Sequence, residues 1–496
     1  MLEYLKAKAN QAQTENGAKA FATTGSDCLD LFATVGALRS ASESEITKRF
    51  MRAYTENKDN ATKLLFFARD VRDGLGERRV FRVILKWLAK NAPETVRKNL
   101  QYVGEYGRYD DLLALFGTPC EVDALETIKE QLAKDMESLK AGGEVSLLGK
   151  WLPSVNTSNN VAVIRAKKIA RYLGMNDAEY RKTLVALRAK IDIIENHLRT
   201  REYDFDYSKQ PSKALFIYRK AFINNDFDRY EEFREDVKSG KVKLNTSTLA
   251  PYELVESVFD QDYFSDDVIK NLSEEEADVI NMTWDNLPDY CGASNALPVI
   301  DLSGSMYGLA NPTPASVALS LGIYAAERTK GSFHNHFIMF SKRPQLIEIK
   351  GDDFVSKLRY VSSYSEVANT NLEAVFDLIL NTAVENQLDQ SLLPEKLFVV
   401  SDMEFDACMG FHVNPVTVFE SAKAKYTAAG YELPEVIFWN VASRHTHQPV
   451  TKDESGVVLV SGCTPKLFSM ILEGKTSPYL FMLEVLESER YAKIMA

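Results

Sequence analysis

The chain has 496 residues, 45% of them hydrophobic and 26% charged, the balance of a water-exposed globular protein too long for one ordinary core. No run of about 18 apolar residues appears and Met1-Leu2-Glu3-Tyr4-Leu5-Lys6 lacks a signal-peptide pattern, so neither a spanning helix nor export is expected. The net charge of -11 is uneven: residues 1–250 carry 42 Lys+Arg against 35 Asp+Glu, and the remainder carries 17 against 35. A basic half attracts a polyanion, whereas an acidic half repels one except where a metal intervenes. The five cysteines (Cys28, Cys120, Cys291, Cys408, Cys463) include no close pair, which argues against a disulfide framework and sets a cytoplasmic expectation.

In chain order, residues 1 to about 60 are polar with loose apolar positions, the pattern of a mobile N-terminus leading into a first helix. From about 45 to 250 the apolar spacing is helical. Ile46, Phe50 and Tyr54 share a face, as do Leu64, Phe67, Ala68 and Val71, then Val80, Val83, Ile84, Trp87 and Leu88. Short breaks at Asp73-Gly74-Leu75-Gly76, Asn91-Ala92-Pro93, Gly117-Thr118-Pro119 and Ala141-Gly142-Gly143 predict antiparallel helix pairs, as in HEAT-like stacks. Gly74 and Gly76 suit a tight turn between helices, and Glu77 is placed to cap the next one.

Cations gather in two parts of this half. Residues 63–108 hold eleven Lys/Arg against five acids, and residues 161–220 hold fourteen against seven. Phosphate contacts need such cations, with aromatics beside them to stack unpaired bases. The candidate RNA contacts are Arg72, Arg78, Arg79, Arg108, Lys150, Arg165, Lys168, Arg171 and Arg188. Trp151, Tyr172, Tyr203, Tyr207 and Tyr218 are the aromatic candidates. The opposing reading is a set of solvated amphipathic helix faces.

Residues 251–290 turn acidic and read as a last helix pair and connector. From 291 strands alternate with helices. The strands are Ala296–Ile300, His336–Phe340, Leu346–Ile349, Leu397–Val400, Val436–Trp439 and Val457–Val460. The helices cover 315–328, 372–380 onward, 416–429 and 465–472. This alternation predicts a doubly wound, largely parallel sheet, with an antiparallel edge hairpin around Ser341-Lys342-Arg343-Pro344. The expected domains are therefore an all-α, HEAT-like one over 1–290 and a Rossmann-like α/β one over 291–496.

In such a sheet the loops at the carboxyl ends of strands share a crevice. Three of them carry oxygen ligands: Asp301, Ser303 and Ser305; then Thr370 within Asn369-Thr370-Asn371; then Asp402 within Ser401-Asp402-Met403-Glu404. Two carboxylates, hydroxyls and water compose an octahedral oxygen shell for Mg²⁺ or Mn²⁺. Nucleophilic use of Ser303 or Ser305 needs a positioned base. No histidine follows in the same turn, and His334, His336, His445 and His447 fall in or near a strand or in a loop. A hydrolase is the less favoured reading, and the chain is expected not to be an enzyme.

The order Asp301-x-Ser303-x-Ser305, Thr370, Asp402 resembles the metal-ion-dependent adhesion site (MIDAS) of von Willebrand factor A domains. That resemblance implies a divalent metal with an open position for an acidic side chain from a protein partner. A helical-repeat half followed by such a domain is similar in architecture to the Ro (TROVE-module) RNA-binding proteins, whose repeats close into a ring that takes RNA. More closely, the chain resembles an uncharacterised family of unknown function with the same two parts. The stretches carrying this are Arg72-Asp73-Gly74-Leu75-Gly76-Glu77-Arg78, Glu105-Tyr106-Gly107-Arg108-Tyr109-Asp110-Asp111-Leu112, Lys150-Trp151-Leu152-Pro153-Ser154, Asn369-Thr370-Asn371-Leu372, Ser401-Asp402-Met403-Glu404-Phe405-Asp406 and Phe438-Trp439-Asn440. The expected function is Ro-like RNA binding in a ribonucleoprotein, with a metal-dependent protein-interaction scaffold as the alternative.

Overall fold

A computed structural model describes residues 1–246, 249–259, 269–292, 294–307, 310–340, 343–364, 370–406, 417–471 and 477–496. Helices dominate the chain up to residue 285, and a six-stranded mixed sheet follows. The sheet strands form where the apolar runs predict them. After a small antiparallel hairpin of β1 (Gln11–Gln13) and β2 (Lys19–Phe21) come β3 (Ala296–Ile300), β4 (His336–Met339), β5 (Gln345–Glu348), β6 (Lys396–Ser401), β7 (Glu435–Asn440) and β8 (Val457–Ser461). The order across the sheet is β5-β4-β3-β6-β7-β8, parallel except for the β4–β5 edge pair. Chain order runs outward in both directions from the β3–β6 pair, the arrangement of a doubly wound sheet with its switch point there.

Every residue of β3, β6, β7 and β8 is buried, as expected of strands covered on both faces. One face presents Leu297, Val299, Leu397, Val399, Val436, Phe438, Val457 and Leu459. They share a core with Val375 and Phe376 of helix Leu372–Glu385 and with Phe419 and Tyr426 of helix Val418–Ala428. The opposite face takes helix Pro314–Arg328, where a Cβ on Gly322 would lie 2.1 Å from Ile300 Cδ1. Phe468 also packs there, with ring centroids 4.9 Å from Phe398 and 4.7 Å from Trp439.

The chain forms two compact units, each assembled from separate stretches of the chain. One unit joins Met1–Asn60 to Val237–Ser488; the other joins Ala61–Asp236 to Glu489–Ala496. Two sets of contacts draw the outer helices to the sheet. Trp284 of helix Glu274–Asp285 stacks on Phe354 at 3.7 Å, and Glu256 of helix Pro251–Val258 accepts hydrogen bonds from Thr313 N and Ser316 Oγ. The first 60 residues are also ordered by the sheet unit rather than mobile. The β1–β2 hairpin pairs with residue 448, Gly36 packs against Ser461, and Arg49 donates to Ser443 Oγ at 2.9 Å.

The second unit is helical. Its longer elements include most of Lys58–Arg69, then Arg78–Asn91, Glu121–Lys140, Asn160–Tyr172, Asp177–Ile191 and Ser212–Asn225. Its buried hub is ionic. Asp111 accepts from Arg69 Nε at 2.7 Å, from Arg82 Nε at 2.6 Å and from the Arg108 backbone N–H at 3.0 Å. The C-terminal residues complete the unit. Arg490 makes a paired contact with buried Asp70 at 2.7 and 3.0 Å, and Lys493 holds Glu105.

Two local expectations change. Val71 lies past the helix end at Arg69 and is exposed, and Glu77 occupies the N-cap position of helix Arg78–Asn91 without a side-chain capping bond. The glycine turn has two distinct causes. Gly76 adopts φ +72°, where a side chain is strained, while a Cβ on Gly74 would lie 2.1 Å from Phe67 O. Backbone cannot yield as a side-chain tip can, so Gly74→Ala is expected to lower the stability of the helical unit by about 1–3 kcal/mol in urea unfolding. An unchanged midpoint would show that the turn relaxes freely.

Candidate functional site

The carboxyl edge of the β3–β6 pair is the first candidate. Asp301 follows β3, and its N–H still donates to Val400 O at 3.1 Å, so the parallel register carries it beside Ser401 at the end of β6. Ser401 Oγ donates to Asp301 Oδ2 at 2.5 Å, and the other oxygen, Oδ1, accepts from Ser303 N at 2.9 Å. The Asp301 carboxylate thereby curls the chain into the short turn Gly304–Met306, with Ser303 Oγ and Ser305 Oγ 3.1 Å apart. Asp402, the next residue after Ser401, is buried with its Oδ1 accepting from Glu404 N at 3.2 Å.

Thr370 is buried at the entrance to helix Leu372–Glu385, which Asn371 caps by accepting from Ala374 N. The Thr370 carbonyl accepts from Asp406 N at 2.9 Å, which ties this loop to the segment after β6. Asn369 lies outside the described residues. Ser303 and Ser305 hydrogen-bond to each other, and among the described residues neither has a histidine partner.

The electrostatics of the pair suit a cation. Burial, and then the neighbouring Asp402 carboxylate, push Asp301 well above the ordinary carboxylate range, against which the bonds from Ser401 and Ser303 act. Two buried carboxylates with two hydroxyls beside them are a hard-oxygen donor set, answered only in part by a guanidinium. Asp402 Oδ2 does receive Arg444 Nη2 at 2.9 Å, and the other arm of that guanidinium reaches Glu15 at 3.1 Å.

The second candidate lies in the helical unit. Arg108 lies flat over Trp151, 3.4 Å from the ring centroid, while binding Asp110 through two nitrogens at 2.9 and 2.6 Å. Lys150 approaches the same ring at 5.6 Å. Arg78 stands next to this group. Packing around its guanidinium and then the positive charges of Arg108 and Arg82 lower its pKa, and it makes no hydrogen bond or ion pair among the described residues. Asp110 and Asp111 nearby oppose this lowering, and an exposed guanidinium with no hydrogen-bonded partner is still a ready anion donor.

The remaining cations of the predicted set divide. Arg72 and Arg79 are exposed on the same glycine turn and helix start. The side chains of Arg165 and Arg171 make no hydrogen bond or ion pair among the described residues. Lys168 is paired with Glu121 at 2.7 Å, and Tyr172 donates to Glu126. Arg188 is structural: it donates to the carbonyls of Gly149 and Leu152 and to Ser154 Oγ, fastening its helix to the Trp151 turn. Tyr207 is buried with its hydroxyl on Asp226, and is not an accessible stacking platform.

Sequence reasoning did not bring Glu15 and Arg444 to Asp402, nor His445 and His447 to Glu404. Arg444 carries a weak signal, since it follows an apolar run at the carboxyl edge of the sheet. Glu15 carries none, because almost 390 residues separate it from Glu404 in the chain.

Residues 14–116 and 124–292 match a domain of unknown function, DUF2828, and residues 295–488 match another, DUF7788. The chain is 31% identical to uncharacterized protein L728 of Acanthamoeba polyphaga mimivirus, over 97% of this chain and 88% of that protein. Among solved structures, the crystal structure of the Deinococcus radiodurans RO (RSR) protein aligns with a TM-score of 0.49 at 14% identity, over 90% of this chain and 99% of that one. Among the described residues, no helix is long and apolar enough to cross a membrane.

Proposed function

This chain belongs to the DUF2828 family, and on that premise we propose that it is a non-enzymatic, cytoplasmic, Ro-like RNA-binding protein that also holds a divalent cation. The observation carrying the RNA reading is the convergence of three separate stretches on one cluster. Arg78 ends Arg72-Asp73-Gly74-Leu75-Gly76-Glu77-Arg78, Arg108 belongs to Tyr106-Gly107-Arg108, and Lys150-Trp151 opens a third. Phosphate recognition needs cations not already neutralised, and unpaired bases need an aromatic or guanidinium plane to stack on. Arg78 meets the first need and the Arg108–Trp151 stack the second. The helical part is then a HEAT-like, TROVE-type array, and the sheet part a von Willebrand factor A-type domain.

In that domain Asp301, Ser303, Ser305, Thr370 and Asp402 would hold Mg²⁺ or Mn²⁺, whose charge offsets the two buried carboxylates. Bound there, the ion would supply an open position for an oxygen ligand from a partner. Asp301 and Ser401 orient the loop, and Asp402 and Arg444 set the charge around it. These two buried carboxylates favour a second reading, a metal-dependent protein-interaction scaffold that takes an acidic side chain and no RNA.

Single-stranded RNA titrated into the purified chain at two salt concentrations separates the readings. RNA affinity is expected to fall with salt. Arg78→Ala should weaken binding across sequences and reduce the log–log salt slope by about 0.7, one single-strand phosphate contact. Salt-independent or absent binding would sink the RNA reading and leave the scaffold.

A further inference from the structure

We propose that Glu15, Glu404 and His445 form a second cation site, suited to a borderline ion such as Zn²⁺ and separate from the all-oxygen centre at Asp301. One ligand atom from each residue lies within 4.8 Å of the others. His445 Nε2 is 3.8 Å from Glu15 Oε2 and 4.0 Å from Glu404 Oε1. Bonds of about 2.0–2.2 Å in a tetrahedral zinc shell place ligand atoms roughly 3.3–3.6 Å apart, so the two carboxylates need to approach His445 Nε2 by only a few tenths of an ångström.

Glu404 supplies the independent sign of a ligand. Its side chain is 2% exposed, and Oε2 accepts the Glu15 N–H at 2.7 Å. Oε1 accepts no hydrogen bond among the described residues and faces two imidazole nitrogens, His445 Nε2 and, at 3.7 Å, His447 Nε2. A carboxylate on so buried a side chain, with one oxygen beyond hydrogen-bond reach of any donor, is stabilised by a positive charge placed against it. His447 has its Nε2 3.3 Å from Met403 O, so it walls the inner side of the site rather than joining the ligands.

The site is also held in shape. The turn of the β1–β2 hairpin is pinned along the segment after β6, with Thr14 Oγ1 donating to Phe405 O at 2.5 Å and Asn16 Nδ2 to Glu404 O at 2.6 Å. The charges around it admit a divalent ion. Within the site Glu15 and Glu404 are two carboxylates, and the one guanidinium beside them, Arg444, is shared with Asp402. An imidazole among carboxylates selects a borderline metal over Mg²⁺, which favours oxygen alone.

The test uses the metal-stripped full chain, titrated with Zn²⁺ by calorimetry in excess Mg²⁺, and with Co²⁺ for a visible absorption band. One equivalent of Zn²⁺ is expected to bind despite the Mg²⁺. His445→Ala, at a half-exposed position that leaves the core intact, should weaken it by about tenfold or more, and Glu404→Gln likewise. Asp301→Asn should leave it in place. No Zn²⁺ binding in excess Mg²⁺, or binding indifferent to His445→Ala, would overturn the proposal. Zinc lost in Asp301→Asn but kept in His445→Ala would assign the ion to the oxygen centre and overturn it equally.

Discussion

Asp301→Asn is expected to abolish Mg²⁺ and Mn²⁺ binding while leaving both compact units folded. The wild-type chain, with Mg²⁺ at about a hundred times its Kd, should gain about 2.7 kcal/mol of stability, read as a rise in the unfolding midpoint. The variant should show no such rise. The substitution is chosen because the amide keeps the shape of the carboxylate beside Ser401 Oγ and the Ser303 N–H, so a loss of binding does not come from a collapsed loop. It also removes a charge that burial and Asp402 already disfavour. The metal-free variant should therefore be about as stable as the metal-free wild type. If Mg²⁺ still stabilises the variant fully, the ion does not sit at Asp301 and the ligand assignment fails.

Asp111→Ala should produce the largest loss of stability in the helical unit. Asp111 is fully buried and holds two guanidiniums and a backbone N–H at once. Arg69 is almost as deeply buried, and its Nη2 already lacks a partner, so removing the carboxylate strands a charge that has no route to water. Breaking a buried pair in this way costs about 3–5 kcal/mol. In a unit of this size that corresponds to a fall in Tm on the order of 10 °C by calorimetry. A loss below about 1 kcal/mol would mean that Arg69 finds another acceptor. Arg82, about a third exposed, is the useful contrast, because Arg82→Gln lets the remaining partners rehydrate and should cost less.

The outcome of the cation assignments follows from what each side chain meets in space. Lys168, Arg188 and Arg78 look alike as helix-borne charges in the sequence. Folding gives Lys168 a glutamate, gives Arg188 two carbonyls and a hydroxyl, and leaves Arg78 near Arg82, Arg108 and their aspartates without a hydrogen bond of its own. No periodicity separates these cases, since each partner comes from another element.

The six sheet strands, most of the helices between them and the polar loops at the sheet's carboxyl edge were legible in the chain, whereas helix Phe354–Ser362 was not. A buried strand is a contiguous apolar run, and a ligand loop directly follows it, so both signals are local. The sequence likewise determined the glycine turn at Gly74 and Gly76, whose constraint lies in the backbone itself. The tertiary structure alone decided which segments share a core. It set residues 1–60 and 237–290 with the sheet, returned the last eight residues to the helical unit, and brought Glu15 to Glu404. Those pairings join residues tens to hundreds of positions apart through hydrogen bonds and packing that leave no local pattern, so only the folded chain displays them.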